Sequence, residues 1–273
     1  MTDERNFRSS YYEKVGFRSV EEKRSLEILL KERPLDKAKL KQFCLRFTVP
    51  TIHRNFLWKI LLDKALKVTK LMDGCTKPYL MFLTMWLLRN RRAKLDMRSQ
   101  LEIPLHSAMS RIAETLWHIV DIDSYEEKLV DTYWILCGLL DQVQRFHKEV
   151  SRLQECACTL LEREDPELYK HLIKIEALHN IPYDIWFCSC FAGTISNGSI
   201  AKIWDKIAVG AYRILIFVTV ITLITLRRLL LRCNNIDGIL DTTANITEET
   251  SEVIVNKAIE SWQQNGSTLT TIS

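Results

Sequence analysis

The chain has 273 residues, 47% hydrophobic and 26% charged, with a formal net charge of +4. These are globular proportions in a chain long enough to bury a large core, and so small a charge does not mark a nucleic-acid binder. With only 8 Gly and 6 Pro, glycine loops that cradle phosphates and hairpin-rich sheets are poor themes, and an all-α fold is expected.

The N-terminus, MTDERNFRSSYYEKVG, is charged and lacks an apolar stretch, so no secretory signal is expected. The 8 Cys then read as reduced thiols in a cytoplasmic protein. Residues 1–18 read as a partly ordered lead-in with Tyr11, Tyr12 and Phe17 able to tuck onto the domain, residues 19–263 as a single helical domain, and residues 264–273 as a frayed tail.

Ser19-Val-Glu-Glu22 has capping-box spacing, and the helix it opens carries Leu26, Leu29 and Leu30 until Pro34. A second helix starts at Asp36 with Leu40, Phe43 and Phe47 on one face, and Pro50 ends it. The third is predicted from Thr51 to about Met72. Arg54 and Trp58 stand four apart on it and share a face, which suggests a guanidinium over the indole, or the Arg stem packed on it, as a local lock.

After a turn at Gly74–Pro78, a helix from Tyr79 to about Asn90 holds Met81, Met85 and Trp86, which are either core or an exposed partner surface. The basic run Arg89–Lys94 reads as a solvated connector, and residues 95–104 as a loop. Helices are then predicted over His106–Val120, Tyr125–Leu140 with Ser124 as cap, Val143–Leu161, and Asp165–His179 with proline at the first helical position.

The stretch from Ile181 to Leu226 organises the rest. Its apolar run, Ile214–Leu226, is interrupted only by Thr219, Thr222 and Thr225, whose hydroxyls can return to the helix backbone. A membrane span needs about 20 apolar residues. This run is shorter and Arg213 blocks its extension, so it reads as a buried helix and no integral membrane span is expected. That helix is predicted to begin near Ala201 or Lys202, with a break near Gly210. Asn234–Ala244 reads as a polar connector, and Thr247-Glu-Glu opens a last amphipathic helix bearing Val253, Ile254, Ala258, Ile259 and Trp262.

The search for chemistry is negative. There is no Walker-type or dinucleotide-binding glycine motif and no HExxH. The pairs Cys156/Cys158 and Cys188/Cys190 have the wrong spacing for zinc, since residues two apart on a helix face apart. Glu176 and His179 have the spacing of half a di-iron motif, but no second half exists, and a helix end explains them. No cofactor or metal is expected.

Three features in order do carry a resemblance: Arg54-x-x-x-Trp58, then Pro182 with Trp186-Phe187-x-x-x-Phe191, then Ile203-Trp204-Asp205 followed by Gly210 and the long apolar helix. Over roughly Leu40 to Arg232 the chain resembles the TBC domain, the all-helical fold of GTPase-activating proteins for Rab-type small GTPases. Those residues would be its structural fingerprint. The opening NFRSSYYEKVGFRSVEEKRSLEILLKE, with IPYDIWF, CFAG and IWDK, resembles one branch of that family, associated with the tuberous sclerosis complex.

Active members use an Arg and a Gln in the patterns I-x-x-D-x-x-R and Y-x-Q. The Arg neutralises charge on the transferring phosphoryl group, and such a finger is worth about 10³ to 10⁵ in rate. None of the 8 Tyr here is followed two residues later by Gln. The nearest match to the Arg pattern, Ile60-Leu-Leu-Asp63-Lys-Ala-Leu66, ends in Leu and follows Trp58 too closely. The resemblance therefore implies a non-catalytic scaffold whose partners are the hamartin coiled coil and, through it, tuberin. It would support that complex's action on Rheb and its restraint of growth signalling through the rapamycin-sensitive kinase, in the cytoplasm or on membranes that recruit the complex. The alternative is an active GTPase-activating protein for a Rab-type GTPase that uses Arg89, Arg91 or Arg92. One departure stands out: the stretch from Trp58 to Ala65 is shorter than the family's.

Overall fold

The computed structural model describes residues 20–32, 35–62, 77–90 and 104–265. Among them there are helices and connections, and the single bridge, Ala192 to Ile195, does not extend into a strand. The helices are α1 (Val20–Lys31), α2 (Lys37–Arg46), α3 (Thr51–Leu61), α4 (Pro78–Arg89), α5 (Pro104–Ile119), α6 (Tyr125–Phe146), α7 (Val150–Glu164), α8 (Pro166–Lys174), α9 (Tyr183–Cys188), α10 (Asn197–Ile207), α11 (Ile214–Thr225), α12 (Arg227–Leu230), α13 (Ile236–Ala244) and α14 (Glu248–Asn265).

Local chemistry starts several of them. Asp36 caps α2 by accepting from the N–H groups of Ala38 and Lys39. Ser124 and Asp165 cap α6 and α8 in the same way, and Asn235 caps α13. The N-terminal helices pack as a group, α3, α4 and α5 against α6. In the C-terminal group, α11 is clasped between α7 and α14, which buries Ile214 through Val220 together. Between the groups lie α9 and α10. α9 packs on α5 and α7, while α10 reaches α2, α5, α11 and α14.

The apolar helix is buried on most of its surface. Thr219 and Thr222 donate to Leu215 O and Val218 O at 2.9 and 2.7 Å. Thr225 does not follow them: its buried hydroxyl has no hydrogen-bond partner. The predicted break at Gly210 is present. Gly210 has φ +93, and the N–H of Ala211 donates back to Lys206 O, the bond pattern of a left-handed helix stop that favours glycine.

Several predicted boundaries move. α6 runs on to Phe146 instead of ending at Leu140, because Val143 and Phe146 continue its buried face; Phe146 stacks on Tyr212 at 5.0 Å. The expected helix to His179 stops at Lys174, where Glu176 adopts φ 55 and the N–H of Ala177 returns to Leu172 O. That turn takes Glu176 and His179 off a common helix. α10 starts at Asn197, a turn before Ala201, since Ser251 of α14 accepts the N–H of Ser196 at 3.2 Å and orders that turn from afar. Asn234–Ala244 is not a connector but mostly α13, whose Ile239 and Thr243 are buried. α5 starts at Pro104 rather than His106. On α14, Val253 is exposed while Ile254, Ala258, Ile259 and Trp262 are buried. Ser19, the lead-in, residues 63–76 and 91–103, and the tail beyond Asn265 lie outside the described residues.

Candidate functional site

The fingerprint residues gather into a buried polar node and an aromatic wall. Asp205 on α10 is 1% exposed and Arg54 on α3 is 6% exposed. Arg54 Nε donates to Asp205 Oδ1 at 2.9 Å and Arg54 Nη2 donates to Oδ2 at 3.1 Å, a fork onto one carboxylate. Nη2 also donates to Val49 O at 2.8 Å, which fixes the entry into α3. Trp58 Nε1 donates to the same Oδ1 at 3.0 Å. Arg54 and Trp58 share a face as their spacing predicts, and both donate to one carboxylate from α10.

Lys206, next along α10, belongs to the node and was missed in the sequence. Its side chain is fully buried, and Nζ donates to Cys44 O and, at 2.7 Å, to Phe47 O. It therefore closes the C-terminal end of α2, where carbonyls lack helical partners. The signal was two adjacent charges inside the apolar run Ile203–Ile207.

The aromatic wall adjoins the node through Trp204, the residue before Asp205 on α10. Trp204 lies 6.4 Å from Trp58, ring to ring, and its Nε1 donates to Cys190 O at 3.0 Å. Trp186 packs on Phe191 at 5.3 Å, and Tyr183 on Phe187 at 6.2 Å. Pro182 is the half-buried residue that precedes α9. Cys190 and Phe191 both sit at positive φ, 50 and 63, and the N–H of Phe191 returns to Trp186 O.

The buried thiols of the node and the wall are held protonated. Burial pushes the Cys44 thiol up to about 12 and, with Asp184 nearby, the Cys188 thiol up to about 11. Burial raises Cys190 further still. Such thiols stay protonated and are poor nucleophiles near neutral pH. Among the described residues, no three His, Cys, Asp or Glu side chains form a group able to hold a metal, and no helix is long and apolar enough to cross a membrane.

The other candidates are also placed. Trp86 is buried and donates to Asp141 Oδ1 at 3.1 Å; Met81 and Met85 are partly buried against the core, so all three serve packing. Arg89 lies over the Trp134 ring at 5.6 Å, whereas Arg91 and Arg92 lie outside the described residues.

Residues 102–231 match the sequence profile of the family described as Rab-GTPase-TBC domain. TBC1 domain family member 7 of Homo sapiens is 34% identical over 286 residues, covering 96% of this chain and 95% of that protein. This chain belongs to the TBC domain family. The TBC1 domain family member 7 proteins of Xenopus tropicalis and Danio rerio are 35% and 34% identical with the same coverage. The TBC fold itself is seen in the Ypt/Rab-GAP domain of Gyp1p, with a TM-score of 0.55 at 16% identity, covering 90% of this chain and 98% of that one. The Chlamydomonas flagellar RabGAP TBC domain has a TM-score of 0.51 at 17% identity, covering 90% and 97%. At those identities the likeness concerns fold alone. The polar node thus joins two stretches of a TBC domain far apart in sequence.

Proposed function

We propose that this TBC-domain chain is a non-catalytic scaffold subunit that binds the hamartin coiled coil and, through it, stabilises a complex with tuberin. In that role it supports GTPase activation on Rheb and the restraint of rapamycin-sensitive growth signalling, as a cytoplasmic protein carried to membranes by its complex. The observation that carries the reading is the missing chemistry: no Tyr here is followed two residues later by Gln, and no I-x-x-D-x-x-R pattern stands after Trp58. A fold kept without its reactive pair is suited to binding. Arg89, a possible substitute finger, is engaged on Trp134.

A face for the partner helix is available on α3. Ile52 is 71% exposed and Phe56 is 44% exposed, one turn apart, on the side opposite the node. Such an i, i+4 apolar pair suits an amphipathic helix. The test is co-purification with a hamartin C-terminal coiled-coil fragment, sized by light scattering. A complex of defined mass, lost in Ile52→Asp with Phe56→Asp, is expected. A folded chain that forms no complex, or one that accelerates GTP hydrolysis by a Rab-type GTPase, overturns the reading.

A further inference from the structure

α12 carries a surface that neither the node nor α3 explains. It follows directly on α11, and its helical turn continues to Cys233 through the N–H groups of Leu231, Arg232 and Cys233. Its sides are sorted. Leu230 faces the core and is fully buried. Arg227 pairs with Asp165 at 2.7 Å and with Glu167, both at the start of α8. His171 of α8 donates Nε2 to Leu230 O and Cys233 O, each at 3.1 Å, so α8 and the end of α12 are held side by side.

The remaining side of α12 presents Arg228, Leu229 and Arg232, all exposed, with Leu229 at 51%. The spacing of four puts Arg228 and Arg232 on one side of the turn, with Leu229 about 100° round from Arg228. On the neighbouring α8, Lys170 and Lys174 are exposed, the residue before His171 and the residue three after it. Among the described residues none of these four cations has a carboxylate partner, unlike Arg227.

We infer that this face, α12 with the outer side of α8, docks on an anionic lipid bilayer. Four unpaired cations complement an anionic leaflet, where each adds attraction within a Debye length of about 8 Å. Leu229, between two arginines whose stems can lie along the headgroups, supplies a side chain that enters the acyl boundary. A single-stranded nucleic acid would call for aromatic stacking surfaces, and the five positions hold none. Attachment is peripheral, since no described helix can span a bilayer. The inference stands apart from the scaffold reading, because it concerns the chain alone.

The test is co-sedimentation of the full chain with phosphatidylcholine vesicles, with and without phosphatidylserine. Roughly tenfold more binding to the anionic vesicles is expected, lost at high salt. Arg228→Glu with Arg232→Glu abolishes it with an unchanged circular dichroism spectrum, and Lys170→Glu with Lys174→Glu does the same from the second helix. Leu229→Ser weakens binding and leaves its salt dependence in place. No binding, equal binding to neutral vesicles, or binding indifferent to both charge reversals overturns the inference.

Discussion

Arg54 and Asp205 stand 151 positions apart in the chain and meet through two hydrogen bonds, of 2.9 and 3.1 Å, inside the protein. Breaking a buried ion pair from one side leaves an uncompensated charge, at about 3–5 kcal/mol. Arg54→Met and Asp205→Leu are each predicted to destabilise by about that amount in urea unfolding. The double variant should lose much less than their sum, since it leaves no orphan charge. Additivity within about 0.5 kcal/mol would refute the coupling.

Gly138 on α6 lets the end of α3 approach. A Cβ there would lie 2.6 Å from Leu62 Cβ, closer than real contacts allow. Gly138→Ala is expected to destabilise by about 1–3 kcal/mol through overpacking. Leu62→Ala in the same chain should return part of that loss. If Gly138→Ala alone melts like the parent, the close approach is not structural.

Trp204 spans the node and the aromatic wall. Trp204→Ala should cost about 3–5 kcal/mol, the range for buried aromatic truncation. It should weaken partner binding only through unfolding, so binding measured per folded molecule stays constant. A variant that remains folded and fails to bind would place Trp204 in the interface.

The buried thiols set an alkaline limit. Cys44 rises from an ordinary 9.0 to about 12 and Cys188 to about 11, both chiefly by burial. Their folded values lie above the unfolded ones, so their contribution is full below pH 9.0. It is lost as pH rises through the folded values, by up to about 1.4 kcal/mol per pH unit for each thiol. Cys44→Ala should flatten the fall of the urea midpoint above that pH. Under native conditions a thiol reagent should modify exposed Cys156 long before buried Cys44, Cys137 or Cys190.

Much of the helical content was legible locally. Caps at Asp36, Ser124 and Asp165, the glycine stop at Gly210 and the thirteen-residue apolar run Ile214–Leu226 are written in spacing and residue type. Misplaced boundaries had causes elsewhere in the chain. Asn197 enters a helix under a serine from α14, and α6 passes Leu140 because Phe146 finds Tyr212. The left-handed turn at Glu176 carries no glycine to announce it.

The sequence by itself determined that the chain is helical, where its most apolar helix lies, and that no Tyr is followed two residues later by Gln, because hydrophobic period, capping residues and short motifs are properties of neighbours in the chain. It placed Arg54 and Trp58 on one helix face but did not place Asp205 against them. Only the tertiary structure decided that one carboxylate holds both α3 side chains, that Lys206 closes α2, and that His171 holds α8 beside the end of α12. A buried charge must find its partner wherever packing brings one, and packing sums contacts over the whole chain that no local pattern records.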